Sequence, residues 1–231
     1  MAAPKTEVLK RIPLFRDLDG AALTFLAARA RIRRCTPREE IVQQDVPAEA
    51  IYLIDRGRAS VSIAGHDGPA VTLRELGPGE IIGEVSLLDG GPPSATVTAL
   101  TRTELVVIDR RSFTELLERR PQVAGALLPV LASRLRRLTA WADDRAGLPL
   151  PARLAKCLLG LSSDYGQWVG QSRLRIGLKV SQEDLARRVG ATRESVNKHL
   201  RRLERMNVLA KEAGHLIITD LARLQTLATH E

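Results

Sequence analysis

Aromatic residues are scarce in this 231-residue chain: three Phe, two Tyr and two Trp amount to 3%. Platforms that stack the bases of RNA or single strands need aromatic faces, so that mode of nucleic-acid binding is disfavoured. Cysteine is scarcer still. Cys35 and Cys157 stand far apart, which leaves no disulfide framework and no metal-type spacing. Four histidines, His66, His199, His215 and His230, fall in no metal or nucleophile motif. No glycine-rich run ends in Gly-Lys-Ser/Thr and no serine occupies a nucleophile elbow, so nothing points to an enzyme. No apolar run approaches a membrane span, and the first fifteen residues hold no uninterrupted apolar stretch of the signal-peptide kind. The expectation is a cytoplasmic protein with reduced thiols and no membrane partner.

Basic charge is abundant. There are 35 Lys+Arg against 27 Asp+Glu, a net charge of +8, and the pI is about 10.2. From Gly147 onward 14 basic residues face 8 acidic ones, so most of the excess lies in the C-terminal third. A polyanion partner is the natural reading.

The texture of the chain changes twice. Phe15 to Ile32 reads as helical, with Leu18, Leu23, Leu26 and Ala27 on one face. From Cys35 to Asp109 short β-rich runs (Ile51–Ile54, Ala59–Ile63, Ala70–Leu73, Thr96–Leu100, Glu104–Ile108) alternate with Gly, Pro and Asp, as in an antiparallel sandwich or jelly-roll barrel. From Ser112 the chain is helical again. Ala124, Leu128, Leu131, Leu135, Leu138 and Ala142 follow a 4-3-4-3-4 spacing, the seam of a helix that pairs with a second copy of itself. Packing on the chain's own sheet is the alternative. Pro129 lies inside this seam and is expected to kink or delay the helix. Arg145 to Pro151 reads as a hinge, followed by a helix over Pro151–Ser162. The fold class is thus α+β. A β-roll sensor domain spans 1–118, a dimerisation helix 119–146, and a helical C-terminal domain 147–231.

The segment Val180–Leu209, VSQEDLARRVGATRESVNKHLRRLERMNVL, is the most telling. It reads as helix, tight turn, helix, with the second helix from about Thr192 to Met206. Val196, Leu200 and Leu203 share one face. Arg193, Glu194, Asn197, Lys198 and Arg201 lie on the other, and these residue types grip phosphates and read base edges. Gly190 stands at the turn, and Ser181 and Thr192 stand where the two helix starts need caps. Leu209–Thr219, with Gly214 between two short apolar runs, suits a β-hairpin wing. The pattern is a winged helix-turn-helix and implies double-stranded DNA as partner. A charged helical hairpin without DNA is the bland alternative. A nucleotide-sensing module whose output is protein interaction is another.

Two stretches carry a resemblance. Leu76–Thr96, LGPGEIIGEVSLLDGGPPSAT, looks like a phosphate-binding cassette, and Gly190–Lys198, GATRESVNK, looks like a recognition helix. In this order, around a β-roll and a long helix, they resemble the family of the bacterial cyclic-AMP receptor protein and the fumarate–nitrate reduction regulator. The resemblance covers nearly the whole chain and implies a homodimeric transcription regulator, activator rather than repressor, that works with RNA polymerase at palindromic TGTGA-like sites. It implies Arg193 as reader of a guanine, Glu194 as acceptor from a cytosine, and Lys198 as a further base or phosphate contact. Leu128, Leu131, Leu135, Leu138 and Ala142 would form the dimer interface. The effector pocket would be Gly83, Glu84, Val85, Ser94 and Ala95, with Leu138 and Thr139 from the long helix.

At one position the cassette departs from the family. The phosphate-pairing arginine would fall directly before Ser94, where this chain has Pro93, which offers neither charge nor donor. No cofactor is therefore assigned. A cyclic nucleotide is the candidate that the motif names and Pro93 counts against it, with Arg74 and Arg102 as the neighbouring arginines that could replace the lost charge. Two cysteines cannot hold an iron–sulfur cluster in one subunit, and Cys35 has no resolving partner nearby. His66 reads as a solvated turn residue rather than a haem ligand.

Overall fold

A computed structural model describes residues 5–64, 70–170 and 172–229. Its contacts divide the chain into two units, Met1–Ala64 with Leu73–Arg137, and Gly65–Thr72 with Leu138–Glu231. His66 and His230 lie outside the described residues.

The first unit opens with α1 (Lys5–Lys10), a 3-10 turn at Pro13–Phe15 and α2 (Gly20–Arg29). Strands β1 (Arg31–Cys35), β2 (Glu40–Val42), β3 (Ala50–Arg56), β4 (Ala59–Ile63), β5 (Val71–Leu76) and β6 (Ile81–Ile82) follow. Then come the short helix α3 (Glu84–Asp89), β7 (Thr96–Ala99), β8 (Thr103–Asp109), α4 (Arg110–Arg119) and the long α5 (Pro121–Gly147). The strands form two four-stranded sheets, ordered β1-β8-β3-β6 and β2-β7-β4-β5.

The central strand β8 explains the layering. Leu105 and Val107 point into the space between the sheets, with Ile54, Ala59, Leu76, Val97 and Ala99. Val106 and Ile108 point the other way, to the core under the helices, with Leu26, Phe113 and Leu127. A strand buried on both faces needs apolar residues at every position, and β8 supplies four in a row. Phe15 and Phe113 meet in the helical layer at 6.4 Å between ring centres, tilted by 57°.

The second unit is built from α6 (Leu150–Tyr165), β9 (Gly166–Val169), β10 (Arg173–Ile176), α7 (Gln182–Val189), α8 (Arg193–Arg205), β11 (Leu209–Glu212), β12 (His215–Ile218) and α9 (Leu221–Thr229). Its sheet is ordered β11-β12-β10-β9. The wing is a two-residue hairpin: Glu212 pairs with His215, and Ala213 and Gly214 both take positive φ, the geometry that suits the twist of paired strands. His215 is buried and its Nδ1 meets the Ile176 carbonyl oxygen at 3.1 Å, tying wing to sheet.

Four expectations need correction. The helix read over Phe15–Ile32 is shorter: Asp19 caps α2 by accepting the Ala22 N–H at 2.7 Å, and after Ala30 the chain turns into β1. Five strands, β1, β2, β6, β9 and β10, lie outside the β-rich runs read from the sequence; of these β1 and β9 are edge strands, largely exposed and without apolar alternation. Pro129 does not delay α5, which starts at Pro121 and continues through it. The hinge narrows to Leu148 and Pro149, because Arg145–Gly147 remain helical and α6 starts at Leu150.

The start of α7 generates a pH prediction. Ser181 and Asp184 form a reciprocal capping box, and Asp184 also pairs with Arg187 at 2.9 Å. Burial pushes the Asp184 carboxyl up, but hydrogen bonds from Ser181 and Arg187 outweigh it and hold the group below its ordinary 3.8. A carboxyl lowered in the folded state contributes stability above its unfolded value, and that contribution fades as pH falls through the lower folded value. Asp184→Asn is therefore expected to cost about 1 kcal/mol of unfolding free energy at neutral pH, with the gap closing below pH 3.8. Urea titrations of both proteins across pH check this; a gap independent of pH refutes the role of the charge.

Candidate nucleic-acid interface and effector pocket

The DNA-facing surface starts with a constraint on the turn. Gly190 ends α7 in the left-handed region at φ 61°, ψ 55°, and its N–H bonds to the Ala186 carbonyl. A β-carbon there would run into the Arg145 guanidinium. Arg145 comes from the last turns of α5. It lies 4.9 Å over the Trp141 ring and donates to the Val189 carbonyl at 3.5 Å, a cation placed at the negative end of α7. Lys156 of α6 pairs with Asp144 at 2.5 Å one residue earlier.

Thr192 then caps α8 by accepting the Ser195 N–H at 3.2 Å. Val196, Leu200 and Leu203 go into one core with Leu185, Ala186 and Val189. Arg193, Glu194, Lys198 and Arg201 are all exposed on the far side. Asn197 is half-buried, and its side-chain carbonyl accepts from Gln182 at 3.3 Å, which ties α8 to α7. The Ser181 hydroxyl donates to Asp184 at 2.6 Å and the Thr192 hydroxyl to Ser195 at 2.9 Å, so both capping groups already hold protein partners. His199 is half-buried beside Lys198 and Arg202; burial and these cations keep its pKa below 6.5, so the ring is neutral at pH 7.

The cassette lies in the first unit. Gly83 takes φ 87° directly before α3, and a β-carbon there would press on the Ala50 carbonyl at 3.1 Å. Glu84 opens α3 and is 4% exposed. Val85 faces outward, Ser94 is exposed and Ala95 half-buried ahead of β7. Pro93 is buried, and its carbonyl accepts the Asp45 N–H at 3.0 Å. Leu138 and Thr139 belong to the other unit, beyond Arg137.

A residue not singled out from the sequence reaches the cassette. Arg134, on α5, forms an ion pair with Glu84 and donates to the Ile81 carbonyl at 2.6 Å. Its Nε is buried without a partner. Burial, and then repulsion from Arg74, push its pKa down to about 10. The signal was present. Val123 and Leu127 are the two buried residues of α5, and Val130 and Arg134 continue their 4-3-4 spacing. Arg74 of β5 stands beside it, 3.4 Å from Glu80, whose other oxygen accepts the Gly77 N–H at 2.7 Å.

A separate groove of about 1040 Å³ lies between residues 45–49, 90–92 and α4. Asp45, Glu49, Asp109, Glu115 and Glu118 line it against only two arginines. That sign repels a phosphate, so the groove is no rival to the cassette. Burial pushes the Cys35 thiol up, which keeps it protonated and unreactive. Among the described residues no cluster of His, Cys, Asp or Glu fits a metal ion, and no helix is long and apolar enough to cross a membrane.

Comparison with known proteins agrees with both halves. Residues 32–120 match the cyclic nucleotide-binding domain family, and residues 152–227 match the Crp-like helix-turn-helix domain family. A CRP-like cAMP-activated global transcriptional regulator of Mycobacterium tuberculosis is 30% identical over 218 residues, covering 94% of this chain and 97% of its own. The cyclic AMP receptor protein of Thermus thermophilus is 30% identical over 224 residues, covering 95% and 98%. The fold is shared with a crp/fnr-family regulator from Eubacterium rectale, at a TM-score of 0.80 and 20% identity over 96% of this chain and all of that one. With a β-roll of the cyclic nucleotide-binding domain family, a long helix and a Crp-like helix-turn-helix in one chain, the protein belongs to the CRP/FNR family and is a DNA-binding transcription regulator.

Proposed function

We propose that the protein is a cytoplasmic homodimeric activator that binds palindromic TGTGA-like sites and engages RNA polymerase, with residues 1–118 as sensor, 119–146 as dimerisation helix and 147–231 as DNA reader. The observation that carries the reading is the exposed face of α8. Arg193, Glu194, Lys198 and Arg201 stand clear of the protein on a helix whose other face is locked into the core. Arg193 reads a guanine through O6 and N7, and Glu194 accepts from a cytosine amino group. Lys198 and Arg201 add phosphate or base contacts, Asn197 lines the same face, and Ser181 and Thr192 meet phosphates at the helix starts.

Dimerisation is supported by α5. Leu128 and Leu135 are each 66% exposed and Leu138 is 45% exposed. Together with Leu131 and Ala142 they make a leucine stripe of heptad spacing, which a second copy would bury. A two-fold dimer puts two recognition helices on half-sites about one helical turn, roughly 34 Å, apart.

The effector would enter beside Gly83, Glu84, Val85, Ser94 and Ala95, and Leu138 and Thr139 of α5 are the helix residues that the family resemblance adds. Cyclic AMP is the candidate that the relatives' names bring, and Pro93 is what distinguishes this pocket from one built around a cassette arginine. The effector works by shifting the population between dimers that fit DNA and dimers that do not.

Two measurements test this. On a TGTGA-type palindromic duplex, anisotropy titrations are expected to give a loss of about 1–3 kcal/mol for Arg193→Ala, roughly 5- to 150-fold, with relaxed selectivity at one base pair. Equal affinity would remove Arg193 from the reading. Replacing Leu131 and Leu135 by Lys is expected to yield a monomer by sedimentation, and a persistent dimer would refute the seam.

A further inference from the structure

We propose that Arg74 of β5 and Arg134 of α5 together receive the phosphate group of a small effector, in place of the cassette arginine that this chain lacks. The inference rests on the reading of the first unit as a sensor and names the groups that hold its ligand.

Three observations carry it. The two guanidiniums converge on one two-residue stretch: Arg74 contacts the Glu80 carboxylate at 3.4 Å, and Arg134 donates to the carbonyl of Ile81, the next residue. Both are largely withdrawn from water, with side chains 19% and 12% exposed. Burial pushes the pKa of both arginines down, and repulsion from Arg74 adds to the shift at Arg134. The second observation is that the two local carboxylates do not satisfy this cluster. Glu80 is shared with the Gly77 N–H, Glu84 takes one arm of Arg134, and the Arg134 Nε is left without a partner. Arg137, the next cation on the same face of α5, adds to the positive field at both. The third is the alternative. Arg102, the other arginine near the cassette in sequence, is exposed and faces water.

A phosphate group answers this arrangement. It brings negative charge and several acceptors, and a guanidinium pairs with it in a bidentate fork. To reach Arg134 it must compete with Glu84, so binding exchanges an internal ion pair for a ligand pair. That exchange changes how α5 is held to the cassette, which is the helix carrying the leucine stripe.

The test uses the full-length protein with two probes, cyclic AMP and inorganic pyrophosphate, each titrated in thermal unfolding at ionic strength matched with sodium chloride. At least one probe is expected to raise the wild-type melting temperature in a saturable way. Arg74→Gln is expected to raise the half-saturating concentration ten-fold or more, Arg74→Lys by less, and Arg102→Gln not at all. A response to cyclic AMP alone identifies a phosphate ester, and one to pyrophosphate alone identifies a free anion. No saturable response in wild type, or equal half-saturation in wild type and Arg74→Gln, overturns the proposal. Melting without probe reports whether each variant is folded. DNA anisotropy without probe, on the same samples, reports α8, so failure of this site is distinct from failure of DNA binding.

Discussion

What α8 can present depends on the burial of its inner face. Val196, Leu200 and Leu203 share one core with Leu185, Ala186 and Val189 of α7. That packing fixes the angle between the helices and turns Arg193, Glu194, Lys198 and Arg201 outward. The turn that joins the helices has little freedom. Gly190 holds a left-handed backbone, which costs other residues about 1–2 kcal/mol, and Arg145 fills the space beside it. A recognition surface of long, flexible side chains is therefore mounted on a rigid two-helix unit, the arrangement that lets side chains adapt while the backbone keeps its register.

The first unit solves a different problem, a buried charge. Glu84 is almost wholly enclosed, and a carboxylate in that position needs a partner. Arg134 supplies it from a different element, so α5 is bound to the cassette by more than the apolar contacts of Val123 and Leu127. Removing one partner of such a pair costs about 3–5 kcal/mol, because the other charge is stranded. A ligand with its own negative group keeps the arginine paired, but the Glu84 carboxylate it displaces must then move to another donor or to water. A pocket of this kind responds to charged ligands far more than to neutral ones of equal size.

Much of this was legible in the sequence, and the gaps have physical causes. Strands β3, β4, β7 and β8 were readable because they bury at least one face and so show runs of apolar, β-branched residues. β1 (RIRRC) and β9 (GQWV) were not, because each lies at a sheet edge with most positions in water. There, backbone hydrogen bonds hold the strand and the side chains record nothing. The helix-turn-helix was read almost to the residue, since its caps, its glycine and its apolar spacing all agree. Arg134 was missed because a charged residue on a helix is ordinarily solvated. Its helical phase, shared with Val123 and Leu127, was the contrary sign. Proline at 129 misled in the other direction: it removes one backbone donor, and α5 continues through it.

The phase of α5 links the two problems. At about 100° per residue, Val123, Leu127 and Arg134 cluster on one face, and Leu128, Leu131 and Leu135 on a face about a quarter-turn round. The inner face grips the β-roll; the outer one is the exposed leucine stripe. A helix is stiff over this length, so a ligand that takes Arg134 from Glu84 could not move the inner face without rotating or sliding the outer one. The stripe is interrupted by no glycine between Leu128 and Ala142. In the proposed dimer, small shifts at Glu84 would in this way become a change of register between the paired helices. In packed seams such changes occur as discrete steps rather than continuous drift. With the point of contact proposed on β5 and α5, a missing cassette arginine would not abolish coupling, because the ligand would act on the helix that carries the leucine stripe.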